Sequence, residues 1–382
     1  MGFSQALSGL TAASTDLNVV SNNISNSQTV GFKSSTVQFA DVYADADVGL
    51  GTSVSGVVQN FGAGSLTTTD NSLDLAINGE GFFTFTDGTQ TVYSRNGQLT
   101  LTTEGYLVNS AGDKLLGSNG VIQIPTSGMP ASASSELDAS LNLDSSEDII
   151  TATFDASDAS TYSYSTTATV YDSLGNSHTS TLYFTKSAQN TWDVHAAIDG
   201  NVLSESQTVT FSSSGLITSG ESATYTYDPA NGAASLSIEL DLTGTTQFGN
   251  DFSVTDIDQN GYTSGSLVSF SIDDSGTVVA SYSNDQTQDI AQIQLATFAN
   301  ENGLKSNGNN TWLATSSSGQ ALLGVAGSGS LGSILSGTTE DSNVDLTAEL
   351  VNLIVAQRNF QANAKSVTAQ SEVLQQAVNI GN

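Results

Sequence analysis

Cysteine is absent from the 382 residues, which excludes disulfides, thiolate metal sites and cysteine nucleophiles and leaves no thiol to be oxidised outside a cell. Basic residues are nearly as scarce: 7 Lys plus Arg stand against 38 Asp plus Glu, a formal net charge of −31. A field of that sign repels phosphate backbones and anionic lipid, so the reading is no nucleic acid partner and no lipid binding. The first Lys is Lys33, and the early apolar residues are spread around a helix, so no basic secretory leader is read at the N-terminus. No stretch reaches the roughly 18 apolar residues that a membrane span needs. Met1-Gly2-Phe3-Ser4-Gln5-Ala6 has Ala6 where a myristoylation start would have Ser or Thr. Imidazoles are limited to His178 and His195, and no G-x-S-x-G elbow occurs, so a serine-hydrolase triad has little material. Both histidines lie in strand-like segments and read as surface or half-buried β residues.

What is present divides into two kinds. The two ends carry apolar stripes at coiled-coil spacing, through Phe3, Leu7, Leu10, Ser14, Leu17, Ser21 and Ile24 at the front. At the back the stripe runs through Leu346, Leu350, Leu353, Gln357, Phe360, Ala364, Val367, Ser371, Leu374 and Val378. A helix of about 22 residues is about 33 Å long, and a single apolar seam must be buried against something. An intramolecular core would satisfy such seams, but their position at both ends, with Ser14, Ser21, Gln357 and Ser371 weakening any solitary coil, points to a polymer subunit. Between the ends, 36 glycines and 37% hydrophobic residues suit strands and turns. Alternating segments such as Gly81-Phe82-Phe83-Thr84-Phe85 and Thr181-Leu182-Tyr183-Phe184, with Asn-Gly pairs at turns, predict β-structure.

The expected architecture is mainly β with α-helical termini: nested, discontinuous β-domains plus a terminal coiled-coil domain made by the two end helices. Residues 1–30 and 343–382 form that helical domain and 31–70 an extended connector. Residues 71–147 and 285–342 form an inner β-domain, and 148–284 an outer β insert whose start is placed at Pro125, Pro130 and the acidic Ser145-Ser146-Glu147-Asp148. The front helix should end near Asn22 to Asn26, where Asn and Ser compete for backbone hydrogen bonds. The last helix should be capped by Ser342 with Asp345 near the positive end of its dipole.

Two ligand motifs fail on composition. Asp256-Ile257-Asp258-Gln259-Asn260-Gly261 opens like a calcium loop but has Leu267 where a bidentate Glu belongs, so a plain turn between strands is preferred. Gly327-Ser328-Gly329-Ser330-Leu331-Gly332 is formally G-x-G-x-x-G, yet it lies outside any βαβ unit and reads as a glycine connector before the last helix. No catalytic residue, metal or cofactor is assigned, and the chain is not read as an enzyme.

Phe3-Ser4-Gln5-Ala6-Leu7-Ser8-Gly9-Leu10 and Val20-Ser21-Asn22-Asn23-Ile24-Ser25-Asn26-Ser27-Gln28-Thr29-Val30-Gly31-Phe32-Lys33 closely resemble the N-terminal signature of the bacterial flagellar rod and hook axial proteins. Ser342-Asn343-Val344-Asp345-Leu346 and the run from Glu349 through Gln357-Arg358-Asn359-Phe360 to Ala364 are similar to that family's C-terminal helix. The resemblance covers both ends and the inner β-domain. It implies a structural subunit of the flagellar hook, a curved flexible tube that couples rod to filament as a universal joint for swimming. The subunit would lie outside the cell, delivered without a cleaved signal peptide by the flagellar type III export apparatus. Its partners would be its own copies in a helical homopolymer and the rod, hook-cap and hook-filament junction proteins. Phe39-Ala40-Asp41-Val42-Tyr43 resembles the family's export signal through Phe39 and Tyr43. Flexible tubes need compliant joints, and the glycine-rich stretches supply candidate hinges at Gly49, Gly51, Gly62, Gly64, Gly327, Gly329 and Gly332. The alternative within the class is the distal rod protein, and outside it a secreted β-rich adhesin or binding protein, which leaves the helical ends unexplained.

Overall fold

The computed structural model describes residues 3–43 and 49–380; the Met1-Gly2 start lies outside them. Helix α1 spans Phe3–Ser25. It stops where Asn26 Nδ2 donates to the Asn22 carbonyl at 3.0 Å, and the chain turns away at Gly31, whose φ of 70° is the left-handed region an L side chain avoids. Helix α2 spans Leu346–Ile380. Its cap is Asp345, whose Oδ1 accepts from the Thr347 and Ala348 amides at 2.9 and 3.1 Å. Ser342, the expected cap, instead accepts the Val344 amide at 3.3 Å, because the chain is still extended there and the carboxylate sits closer to the first free amides.

The chain divides into two compact units, one of residues 1–126, 269–280 and 287–382, the other of 127–268 and 281–286. In the first, residues 31–70 carry more than an extended connector: β1 (Ser35–Val42) and β2 (Gly51–Gln59) pair as an antiparallel hairpin with an irregularity at Gln38/Phe39, and both strands pack on α1. Val37, Val42 and Val54 alternate with exposed polar residues, which suits a sheet with one face against a helix. Among the described residues the larger sheet has ten strands. Its centre is Phe82–Thr86, paired with Thr91–Ser94, Lys114–Gly117 and Gln294–Thr297, so the returning chain completes a sheet begun far earlier. Phe61, Phe82, Tyr93, Phe298 and Trp312 meet edge to face at 4.8 to 5.9 Å, and the Trp312 indole donates to Gln59 Oε1 at 2.8 Å. The formal G-x-G-x-x-G segment is a tight turn between the strands Leu322–Val325 and Ser333–Ser336, with Gly332 donating to the Glu80 carbonyl at 2.9 Å. A further strand, Thr338–Glu340, separates it from α2, so it is not the connector to the last helix.

The second unit is a β-sandwich of two five-stranded sheets over one core of Leu182, Phe184, Trp192, Val194, Leu141 and Leu240 among others, counted over the described residues. It begins earlier than position 148, because Glu136–Asp144 is an inner strand of one sheet, paired with Leu236–Asp241, Thr246–Phe248 and Ser253–Gln259. Leu137, Ala139, Leu141 and Leu143 point alternately into the core. The acidic run expected to mark a boundary is a turn within this unit, where Asp144 Oδ1 accepts the Ser146 amide at 2.7 Å. Asp256 and Asp258 stand in the strand Ser253–Gln259, so they are neither a calcium loop nor a turn. His195 is half-buried, stacked on Phe154 at 4.2 Å.

His178 departs from the reading as a surface or half-buried β residue. It is buried, with Nδ1 2.6 Å from Asp199 Oδ2 and Nε2 3.3 Å from Asp172 Oδ2. Burial alone would lower its pKa, but the hydrogen bonds to Asp199 and Asp172 outweigh it and raise it above the ordinary value of 6.5. A raised histidine stabilises fully below its unfolded pKa and ceases to do so as pH rises through its folded one. The sandwich is therefore expected to lose stability on going from pH 6 into the alkaline range, and His178→Gln should flatten that slope in urea melts; an unchanged slope would refute the pairing.

Candidate assembly interface

The terminal helices run antiparallel. Asn23 Nδ2 donates to Glu349 Oε1 at 3.0 Å near one end, and further along an added Cβ on Gly9 would lie 2.9 Å from Asn363 Oδ1. Their seam differs from the apolar stripes of the sequence. In α1 the buried residues are Ala6, Ala12, Ala13, Val20 and Asn23, with Leu10, Leu17 and Ile24 half-covered; Leu7, the matching member of the stripe, is exposed. In α2 the facing row contains Glu349, Leu353, Ala356, Phe360, Asn363 and Val367, with Leu346 and Leu350 turned out. In each seam about half of the expected stripe is thus replaced by residues one position earlier, with Ala6 in place of Leu7 and Ala356 in place of Gln357. Small side chains let the helix axes approach closely, so the pair selects them and leaves larger residues outside.

Large apolar residues, Leu7 and Leu350 of the expected stripes among them, are exposed on both helices. Phe3 and Leu7 on α1 are 46% and 49% accessible, and Leu350 and Ile354 on α2 are 45% and 50%. Leu346, Val351, Val355, Leu374 and Val378 are exposed as well. Isolated exposed leucines are ordinary, whereas several exposed apolar side chains along a helix make it a candidate surface for another protein.

Below the helices a buried polar junction ties both chain ends to the β-structure. Lys33 and Glu340 are fully inaccessible, with Lys33 Nζ 2.7 Å from Glu340 Oε1, and Arg95 Nε lies 2.8 Å from Glu340 Oε2. Arg95 Nη1 also donates to the Gly79 and Gly81 carbonyls at 3.0 and 2.6 Å, and Lys33 Nζ to the Gly62 carbonyl at 2.8 Å. Burial pushes Glu340 up, but Arg95 and Lys33 outweigh it and hold the carboxyl below its ordinary value. Backbone bonds close the knot: the Gly31 amide donates to the Glu340 carbonyl at 2.7 Å, and Asn343 accepts from the Ser34 amide while donating to the Asn60 and Gly62 carbonyls. Asn23 does the same between α1 and β1, exchanging two bonds with Ser35 at 2.8 and 3.0 Å. Two of only seven basic residues are spent here. Arg95, Glu340 and Asn343 escaped the sequence reading as site residues; the signal that could have found the junction is the rarity of cations, since each of the seven Lys and Arg is a candidate for a dedicated partner.

The remaining motif residues are placed as follows. Asn22 is exposed, Asn26 bonds back to it at 2.9 Å, and Phe32 is buried. Phe39 and Tyr43 are 50% and 71% accessible and take no part in a core. Arg358 and Asn359 are exposed on α2, and Asn359 borders a groove shared with Gly9 and Phe39. Among the hinge glycines, Gly49 is exposed, and Gly327 and Gly329 lie in an open turn. Gly51 starts β2 against Ser8 of α1, and Gly332 is wedged against the Asn78 carbonyl. Gly62 and Gly64 belong to the junction: the exposed Gly62 is tied by the bond its carbonyl accepts from Lys33, and Gly64, which donates to Glu340 Oε1 at 2.9 Å, is held by close packing where free rotation was expected. An added Cβ at Gly64 would collide with the Asp341 carbonyl oxygen. Gly64→Ala is therefore expected to cost about 1–3 kcal/mol in equilibrium unfolding; a neutral result would mean that the junction yields.

Four family descriptions match along the chain: Flagella basal body rod protein at residues 4–33, Flagellar hook protein FlgE/F/G D1 domain at 76–152, Flagellar basal body protein FlaE D2 domain at 142–262, and Flagellar basal body rod FlgEFG protein C-terminal at 335–380. The flagellar hook protein FlgE of Salmonella typhimurium is 43% identical over 402 residues, covering 100% of both chains. The chain belongs to the flagellar hook protein family. The FlgE of Escherichia coli K12 is likewise 43% identical over the full length of both, and that of Borreliella burgdorferi 29% identical over 98% of each. The crystal structure of Helicobacter pylori FlgE2 shares the fold at a TM-score of 0.55 and 14% identity, covering 70% of this chain and 98% of that one. Against this family background the matched ends, 4–33 and 335–380, contain both helices and every charged member of the junction except Arg95.

Proposed function

We propose that the chain is the structural subunit of a flagellar hook, polymerising with its own copies into a curved, flexible tube outside the cell that couples rod to filament as a universal joint. The observation that carries this reading is the partly shifted seam: α1 and α2 satisfy each other through small residues and leave Leu7, Leu350 and Ile354 outward for neighbouring copies. Rod, hook-cap and hook-filament junction proteins are the partners at the two ends of such a tube. Export through the flagellar type III apparatus would read Phe39 and Tyr43 in the unfolded chain, which fits their having no part in a core. Full-length likeness to hook proteins favours this reading over the distal rod. Electron microscopy of the purified full chain should reveal curved tubes, and the chain lacking residues 1–25 and 346–382 should yield only particles. Tubes from the truncated chain, or particles from both, would overturn the proposal.

Assembly brings together subunits that each carry a net charge of −31. Repulsion of that kind is screened over about 8 Å at physiological ionic strength, so the critical concentration for polymerisation should fall as salt rises. Equal polymerisation in very dilute buffer would contradict this.

A further inference from the structure

The sum of paired positions across the helix pair, Asn23 with Glu349 and Gly9 with Asn363, places the start of α1 opposite residues just before 371 of α2. The last turns of α2 therefore project past α1, and residues 371–379 are all exposed. The projecting segment is about 13 Å long at the α-helical rise. It is apolar on one side, with Val373, Leu374 and Val378 at 63%, 57% and 64% accessibility, and Glu372 is its one ionisable residue, placed about 200° around the helix from Leu374.

A groove of about 500 Å³ runs between α1 and β2, bordered by Leu7, Thr11, Ala12, Thr15 and Val54 together with serine and threonine hydroxyls. Among the described residues no ionisable one borders it. Two neighbouring grooves along α1 both include Asp16, which burial and Glu349 hold above its ordinary pKa. In a chain with 38 carboxylates, an uncharged groove and an almost uncharged apolar helix end are matched by what both lack.

We propose that the projecting end of α2 from one copy seats in this α1/β2 groove of the next copy. The assignment rests on the polymer reading above and adds which surfaces meet. The segment cannot serve its own groove: it continues as helix beyond the first turn of α1, whereas the groove lies back along α1 between Ser4 and Thr15. The contact is therefore heterologous, end of one molecule to flank of another, and such contacts propagate into open helical filaments instead of closing as dimers. Recognition follows the helix-in-groove mode, with Leu374 and Val378 four residues apart as anchors.

The absence of cysteine makes the test clean. Leu374→Cys is combined in turn with Leu7→Cys, Thr11→Cys and Val54→Cys in the full chain, the variants are polymerised, and sedimented polymer is treated with a mild oxidant. At least one combination should give a ladder of covalent multimers on non-reducing gels, and the corresponding single variants should give none beyond a dimer. Polymer that sediments at wild-type yield without a ladder in any combination overturns the inference while leaving the hook reading intact. Independently, Leu374→Asp with Val378→Asp should raise the critical concentration by roughly 100-fold with the thermal melt of the monomer unchanged. Polymerisation of that variant at the wild-type concentration overturns the inference as well. If the wild-type chain forms no polymer, both readings fall together.

Discussion

Glu340→Gln is expected to be the most destabilising single substitution at the junction, lowering the free energy of unfolding by about 3–5 kcal/mol. The side chain keeps its size, so packing is not the cause. Lys33 and Arg95 would remain buried at 0% and 4% accessibility with no counter-charge, and a glutamine amide can present at most one oxygen to two cationic donors. Breaking a buried pair leaves an uncompensated charge, which costs far more than the intact pair contributes. The pH dependence follows from the same geometry. Glu340 is held below its ordinary value of 4.5, so its contribution is present above that value and is lost as pH falls through the lower folded one. Urea unfolding at pH 7 should separate wild type from Glu340→Gln by the full amount, and the gap should narrow in acid. Equal stability at pH 7 would show that the three charges do not hold the junction.

Replacing Leu350 and Ile354 together by Asp should have the largest effect on assembly with the smallest on folding. Both side chains are about half exposed, so the isolated chain should melt within about 0.5 kcal/mol of wild type. Each would otherwise bury an apolar surface worth about 1.5–3 kcal/mol against a neighbour, and two such losses raise the critical concentration by at least roughly 100-fold. Polymerisation measured by light scattering and sedimentation reads the effect directly. A lowered melting temperature with polymerisation intact would place these residues in an intramolecular core and remove the basis of the interface.

These outcomes depend on a distinction that periodicity could not make. Leu10, Leu17, Leu353, Phe360 and Val367 belong both to the stripe legible in the sequence and to the observed seam. The other half of each stripe does not, because a row of Leu7, Ser14 and Ser21 competes with a row of Ala6, Ala13 and Val20 only one residue away. Hydrophobicity ranks the first row by Leu7, whereas close approach of two helices ranks the second by its small volume. The start of the sandwich was missed for a related reason. Proline and acidic clusters mark turns, but whether a turn lies between units or within one depends on what Glu136–Asp144 pairs with, and its partners are about 100 residues away in sequence. Gly64 looked like a hinge because glycine permits rotation; it is glycine because the Asp341 carbonyl leaves no room for a Cβ.

The amino-acid sequence by itself determined the helical ends, the β-rich interior between them and the family to which they belong, since all three reside in local periodicity, composition and contiguous motifs. Only the tertiary structure decided which side of each helix is spent inside the molecule, which glycines are held fast, and that Lys33, Arg95 and Glu340 meet. Those depend on contacts between residues up to about 300 positions apart, whose energies are set by volume and exclusion of water at the meeting point and leave no periodic trace along the chain.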